Sequence, residues 1–215
     1  MWSNFDVPWK RLERWSPIGF IVGGGGFLIS LALLVVDTMS AVTVPEIAVS
    51  VVVIPSLFAL TVFAFPGFYP YVADGSSRLA LAGLVAAVVG AATITVMTVG
   101  KVALHVLGVI GFTDEGPLVA GLFLWAVAFF LSVLFYGVAS LRSGEPSRLV
   151  GLLLLVIVVE PASTLLNDVL GLDFGIAILY VTLGVAGLAL VLIGYSLRSA
   201  ATSSGRAESA SEMAT

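Results

Sequence analysis

Between Arg78 and Lys101 the chain reads LALAGLVAAVVGAATITVMTVG, from Leu79 to Gly100, without a charged side chain. A helix of this length rises about 33 Å, at about 1.5 Å per residue, and the hydrocarbon core of a bilayer is about 30 Å thick. The run is apolar on every face, whereas a transmembrane β-strand would alternate polar and apolar residues over about ten positions. The pattern therefore predicts a transmembrane helix.

Five further apolar runs of similar length lie on either side of this one. The chain as a whole has 215 residues, of which 60% are hydrophobic and 10% charged, too few polar side chains to cover an aqueous globule. The sequence predicts an all-α, polytopic membrane protein with six transmembrane helices in one bundle. The six runs are Pro17 to Val36, Ile47 to Phe68, Leu79 to Gly100, Leu118 to Leu141, Leu149 to Leu170, and Phe174 to Leu197.

The basic residues lie at alternate ends of these runs, and only Lys101 breaks the pattern. Because cytoplasmic loops are enriched in Lys and Arg, this distribution predicts that both termini are cytoplasmic, in a multi-pass protein of the cell (plasma) membrane. The residues on the predicted cytoplasmic side are Lys10, Arg11, Arg14, Arg78, Arg142, Arg148, Arg198 and Arg206. The opposite loops are acidic, with Asp37, Glu46, Asp114, Glu115, Asp168 and Asp173.

Two terminal segments differ in composition from the apolar middle. Aromatic and apolar residues recur at helical spacing among the bases of residues 1–16, which predicts a cytoplasmic amphipathic interfacial segment. Residues 199–215 consist mainly of Ala, Ser, Thr and Glu, a composition that predicts a disordered cytoplasmic tail. Residues 17–198 then form the six-helix transmembrane domain.

The chain has no cysteine, which excludes disulfides and thiolate chemistry. Its net charge of −4 and its scarcity of lysine resemble membrane proteins of salt-loving microbes. No basic surface suited to nucleic acid is present in the sequence, so we expect no nucleic-acid partner.

Small residues in two runs predict where helices approach closely. Four glycines, at positions 23–26, interrupt the first run, and Gly19 precedes Gly23 by one helical turn. In a bilayer such small-residue faces permit backbone contact. The third run carries a similar stripe, at Gly83, Ala87 and Gly90, so we expect the first and third helices to form the best-packed pair. The bulky fourth run, with Trp125 and Tyr136, suits lipid exposure or filling between helices.

The leading candidate for a polar site inside the membrane is Glu160. It follows Arg148 by twelve residues, which places it about 18 Å into the membrane if the helix is continuous. A carboxylate at that depth must be protonated, paired or in a polar cavity, and Pro161 frees a backbone carbonyl one turn earlier. Lys101, Asn167 and Asp168 are candidate partners. The alternative is a structural kink, or a tilted or re-entrant helix that places Glu160 at the outer interface.

Signatures of enzymes and metal sites are missing from the sequence. The single histidine, His105, has no cysteine and no carboxylate at helical spacing, so we expect neither a metal site nor a cofactor. No His-Glu-x-x-His or Gly-x-Ser-x-Gly motif occurs, and no pair of aspartates lies within a run. We therefore expect no catalytic residues and no enzymatic activity.

The sequence favours a non-enzymatic accessory or scaffolding membrane subunit, with the lipid bilayer, a homo-oligomer or other membrane subunits as partners. An alternative is a small-solute or ion transporter, proton-coupled through Glu160, and a second alternative is an intramembrane enzyme. A transporter predicts a polar cavity that Glu160 shares with Ser163, Thr164, Thr93 or Thr95. An accessory subunit predicts a solid core.

Overall fold

The chain is helical throughout the part described, apart from short connections. The computed structural model describes the backbone of residues 6–39, 45–108, 119–170 and 175–212, and within it the side chains of residues 9–39, 45, 51–108, 120–159 and 180–200. The helices are α1 (Asp6–Met39), α2 (Glu46–Phe58), a π-helix (Ala59–Ala64), α3 (Phe65–Ala73), α4 (Ser77–Val106), α5 (Val119–Ser143), α6 (Arg148–Leu170) and α7 (Gly175–Glu212).

Five helical segments are long and apolar enough to cross a membrane. They are Trp9–Met39, Val51–Ala73, Ser77–Val106, Ala120–Ser143 and Tyr180–Ala200. The second of these combines most of α2 with the π-helix and α3. The fifth predicted run lies in α6, whose described apolar part is the shorter segment Arg148–Val159. The prediction of a helical, multi-pass membrane protein is thus confirmed, and the crossing of the membrane by α6 stays a prediction.

Helices that follow one another in the chain pack side by side, and the contact between α1 and α7 closes them into a ring. The α1–α7 contact is the most extensive, followed by α4 with α5, α5 with α6, and α6 with α7. The second span contacts α1 on one side and α4 on the other. The predicted pairing of the first and third spans is therefore wrong, because the small residues of α1 and of α4 face other neighbours.

The glycine run of α1 serves two of these neighbours at once. A Cβ added at Gly24 would lie 2.7 Å from the carbonyl oxygen of Gly187 in α7. Gly23 instead meets the side chain of Leu60 in the π-helix. Successive helical residues are about 100° apart around the axis, so adjacent glycines open different faces of α1. The face of Gly24 then admits the backbone of α7, as small residues do in membrane helices, and the face of Gly23 admits the side chain of Leu60.

Two phenylalanines of α3 fill the space between α1 and α5. The ring centroids of Phe65 and Phe20 are 5.2 Å apart, and those of Phe68 and Tyr136 are also 5.2 Å apart, both edge to face. Such arrangements add attraction to the burial of the rings. Phe20, Phe65, Phe68 and Tyr136 all belong to the buried core, so the interior of the ring is filled by side chains at this level.

The π-helix of the second span ends two residues before Pro66. The backbone N–H of Phe65 donates to the carbonyl of Leu60, five residues earlier. Proline has no N–H and its ring collides with the carbonyl four residues before it, and the wider π turn relieves that collision. Across the helix pair, the Oγ of Ser16 donates a hydrogen bond of 2.8 Å to the carbonyl of Ala64. This bond ties α1 to the end of the π-helix.

Both terminal helices are longer than the runs that predicted them. The interfacial segment expected over residues 1–16 joins the first span in one helix from Asp6 to Met39, with Pro17 inside it. The backbone of α7 continues to Glu212, through most of the segment for which the sequence predicts disorder. Extending an existing helix adds one hydrogen bond per residue without a new nucleus, which favours this continuation.

Substitutions at two adjacent glycines test the α1–α7 contact. We expect Gly24→Ala to lower the free energy of unfolding by about 1–3 kcal/mol, because the added methyl would force the backbones apart. Gly25→Ala is the matched control, since a Cβ there meets nothing within 4 Å. Unfolding by SDS, followed by tryptophan fluorescence, measures both. Equal loss in the two variants would contradict the contact.

Candidate functional site

The residues of the predicted intramembrane site lie on the second half of α6. Glu160, Pro161, Asn167 and Asp168 belong to that helix by their backbone. Their side chains fall outside the described residues, as do those of Ser163 and Thr164. The assignment of a polar site to Glu160 therefore stays a prediction.

Three of the partners expected for Glu160 lie on α4, and their side chains are described. Lys101 lies in the last turns of α4 and is half-buried. The hydroxyls of Thr93 and Thr95 donate to the carbonyls of Val89 and Ala91, at 2.8 and 2.7 Å. Each threonine thus uses its donor within its own helix. Neither hydroxyl therefore has a hydrogen-bond donor free to bind a solute.

The predicted packing residues sit at helix contacts. A Cβ added at Gly19 would lie 2.7 Å from the carbonyl oxygen of Ala59, in the second span. Gly83 faces the ring of Tyr136, with the nearest carbon at 2.7 Å. Ala87 is buried in the core, and Gly90 lies beside Ala128 and Trp125 of α5. The stripe on α4 therefore faces α5.

A row of polar atoms on α5 was not predicted. Four buried side-chain atoms have no hydrogen-bond partner among the described residues, and all four belong to this helix: Trp125 Nε1, Ser132 Oγ, Tyr136 Oη and Ser140 Oγ. Their spacings of seven, four and four residues place them on one face. From the first to the last the row covers about 22 Å of helix. We refer to these four residues as the α5 polar row.

The α5 polar row faces the interior of the bundle. Ser132, Tyr136 and Ser140 are 1%, 0% and 0% exposed, and Tyr136 lies between Gly83 and Phe68. One further step along this face, Ser143 is half-buried at the end of α5. Its Oγ donates to the carbonyl of Ala139 at 3.0 Å and accepts the N–H of Glu145 at 3.1 Å. The row thus extends from the half-buried Trp125 to the fully buried Ser140, three residues before the end of α5.

The other buried serine and threonine hydroxyls among the described side chains have hydrogen-bond partners in the protein. Thr61 donates to the carbonyl of Leu57 at 2.7 Å, and Ser56 donates to that of Val52 at 2.6 Å. Leaving a buried hydroxyl without a partner costs about 1–3 kcal/mol. The α5 polar row is therefore the part of the described interior with unused hydrogen-bonding capacity.

The chemistry of the α5 polar row is neutral. Hydroxyl and indole groups can bind water or a small uncharged solute, and they are poor ligands for a metal ion. Among the described residues no cluster of three His, Cys, Asp or Glu side chains could hold a metal. The row can therefore hydrogen-bond a polar molecule that reaches it, without supplying charge or a nucleophile with its base.

A sequence signal for the α5 polar row exists in hindsight. Polar and amphipathic residues recur at positions 125, 132, 136 and 140 of an otherwise apolar run. Periodicity shows that they share a face, but it does not show whether that face meets lipid or protein. From composition alone, Trp125 and Tyr136 are expected only to face lipid or to fill space between helices.

No protein-family model, no curated protein and no solved structure matches this chain.

Removal of single hydroxyls tests the state of the α5 polar row. We expect Ser132→Ala to leave the free energy of unfolding unchanged or to raise it by up to about 1 kcal/mol, because the lost hydroxyl has no hydrogen-bond partner among the described residues. Ser16→Ala is the matched control and should lower it by about 1 kcal/mol, since it removes a buried hydrogen bond. Chemical unfolding in detergent measures both. A clear loss in Ser132→Ala would mean that the row holds a bound polar molecule.

Proposed function

We propose that this integral membrane protein is a non-enzymatic accessory or scaffolding subunit of the cell membrane. The observation that supports this role is the packed interior of the described bundle. Aromatic and aliphatic side chains of several helices, among them Phe20, Leu60, Phe68 and Leu190, form one buried cluster. A solid core is what a packing subunit requires, whereas a solute pathway requires polar space.

The buried polar residues support the same role. In the described part of the chain they are Ser16, Ser56, Thr61, Ser132 and Ser140, none of which carries charge. Charged groups inside a membrane mark ion and proton pathways because they are costly there. The described core thus resembles the interior of a rigid bundle.

The outer surface offers extended apolar faces to partners or lipid. On α4, Val96, Val99 and Val102 are 71%, 63% and 50% exposed. Residues three apart lie close together on a helix, so these valines form a continuous ridge. A second copy or another membrane subunit can pack on such a ridge.

A six-span topology with both termini in the cytoplasm completes the proposal. The helix α6 has 23 residues and would rise about 34 Å, sufficient to cross the hydrocarbon core. An even number of spans returns the C-terminus to the side of the N-terminus, in agreement with the bases near both ends.

Introduced cysteines test this topology, because the native chain has none. We expect Ser3→Cys and Ser211→Cys to be protected from a membrane-impermeant maleimide in intact cells and to react after permeabilisation. Glu115→Cys, in the predicted outer loop between α4 and α5, should react without permeabilisation. Labelling of only one terminus from outside would indicate an odd number of spans.

A small-solute or ion transporter is the second candidate function, and the α5 polar row favours it. Its unused donors extend through about 22 Å of the bundle. Hydroxyl groups without protein partners are suited to hydrogen-bond water or a polar solute. In this alternative, Glu160 couples the transport of the solute or ion to the movement of protons.

Reconstitution of the purified chain distinguishes the two candidates. For a scaffolding subunit, we expect proton and potassium flux in proteoliposomes to equal that of protein-free vesicles, because a packed core offers no polar path. A transporter would show flux that Glu160→Gln abolishes and Glu145→Gln, in the α5–α6 connection, preserves. That pair of results would replace the scaffolding proposal.

Photo-crosslinking tests the scaffolding role directly. A photoreactive residue at Val99 should give an adduct of defined mass in native membranes, because the ridge on α4 meets a partner there. The same variant purified into lipid vesicles distinguishes a second copy, which would still form an adduct, from another subunit, which would not. Reaction with lipid alone in native membranes would contradict the role of the ridge.

A further inference from the structure

A groove of about 670 Å³ runs along the outer surface between α4 and α5. Its deeper positions are small residues, among them Ala82, Ala86 and Ala128. Larger side chains such as Leu81 and Val85 stand higher and are about half exposed, at 52% and 56%. The groove is therefore a trough between two ridges, and its lining is aliphatic or aromatic except at one end.

The length of the groove corresponds to one leaflet of a membrane. From Arg78 to Val89, which both line it, α4 rises about 16 Å. Half of the hydrocarbon core is about 15 Å thick. A partner helix would need a contact face along a whole span, whereas one acyl chain needs the depth of a single leaflet. The dimensions favour an acyl chain.

One end of the groove carries positive charge. Arg78 is the second residue of α4, exposed at the mouth of the groove. Arg142 follows the groove residue Phe135 by seven positions, which places it on the same face of α5 and at the same end of the bundle. Two cations at the level of the headgroups attract an anionic phosphate.

We propose that this groove binds one anionic phospholipid, with an acyl chain in the trough and the phosphate at Arg78. Arg142 adds a second positive charge near the headgroup. In the proposed topology the lipid comes from the cytoplasmic leaflet. The site differs from general lipid contact because shape selects an acyl chain and charge selects the headgroup. It does not depend on the scaffolding role.

Native mass spectrometry of the detergent-solubilised full chain tests this site. Phosphatidylglycerol and phosphatidylcholine with identical acyl chains are the probes. We expect the first to bind up to about 25-fold more tightly than the second, and Arg78→Gln to reduce that preference by about fivefold, because each basic residue near the surface contributes about fivefold. Arg148→Gln, at the start of α6, is the matched charge control and should retain the preference.

A second variant tests the shape of the groove separately from its charge. We expect Ala82→Phe to weaken binding of both lipids by filling the groove, whereas Leu188→Phe, at an exposed position of α7, should leave binding unchanged. Both variants must retain native helix content by circular dichroism. Equal lipid binding by the native chain, Arg78→Gln and Ala82→Phe would overturn the proposal. A dimer that Ala82→Phe dissociates would also overturn it, by assigning the groove to a second copy.

Discussion

The close contact between the backbones of α1 and α7 is the constraint on which the rest of the bundle depends. Gly24 faces the carbonyl of Gly187, and one end of the interface is formed by Gly194, whose added Cβ would lie 2.6 Å from the carbonyl oxygen of Pro17. In a bilayer, exclusion from water does not drive helices together, so association relies on packing and on polar contacts. Glycines let the first and last helices gain that packing, and their contact closes the ring.

Closure of the ring leaves an interior that must be filled, and α3 fills it. The π-helix precedes this helix and Pro66 lies in its first turn. Its Phe65 and Phe68 then reach Phe20 on one side and Tyr136 on the other. A dense aromatic interior is rigid because few alternative packings have similar energy. Such a bundle is well suited to present fixed outer surfaces, which connects the core to the proposed scaffolding role and to the groove between α4 and α5.

The α5 polar row is the exception to this dense packing. Neutral hydroxyls cost less to bury than charges, so a bundle can retain several of them without unfolding. Their common face on one helix is what gives them a functional interpretation. If the same groups were scattered over the bundle, each would only lower the stability of the fold at its own position.

Much of the architecture follows from the chain alone. Runs such as Leu79 to Gly100 are too long and too apolar for any element but a membrane helix, since every backbone group in lipid must be bonded within its own segment. Glycine content likewise indicates close approach, and Gly19, Gly23 and Gly83 all lie at helix contacts. The sequence did not indicate which helix each glycine contacts, because a small residue is compatible with any neighbour.

The sequence by itself determined the helical, membrane-embedded class of this protein, because composition and run length depend only on residues next to one another in the chain. Only the tertiary structure decided that α1 pairs with α7, that Trp125 and Tyr136 turn their polar atoms inward, and that Arg78 closes one end of a groove. These features depend on which faces meet. Periodicity defines a face, but the helix that covers it is selected by the packing of the whole bundle.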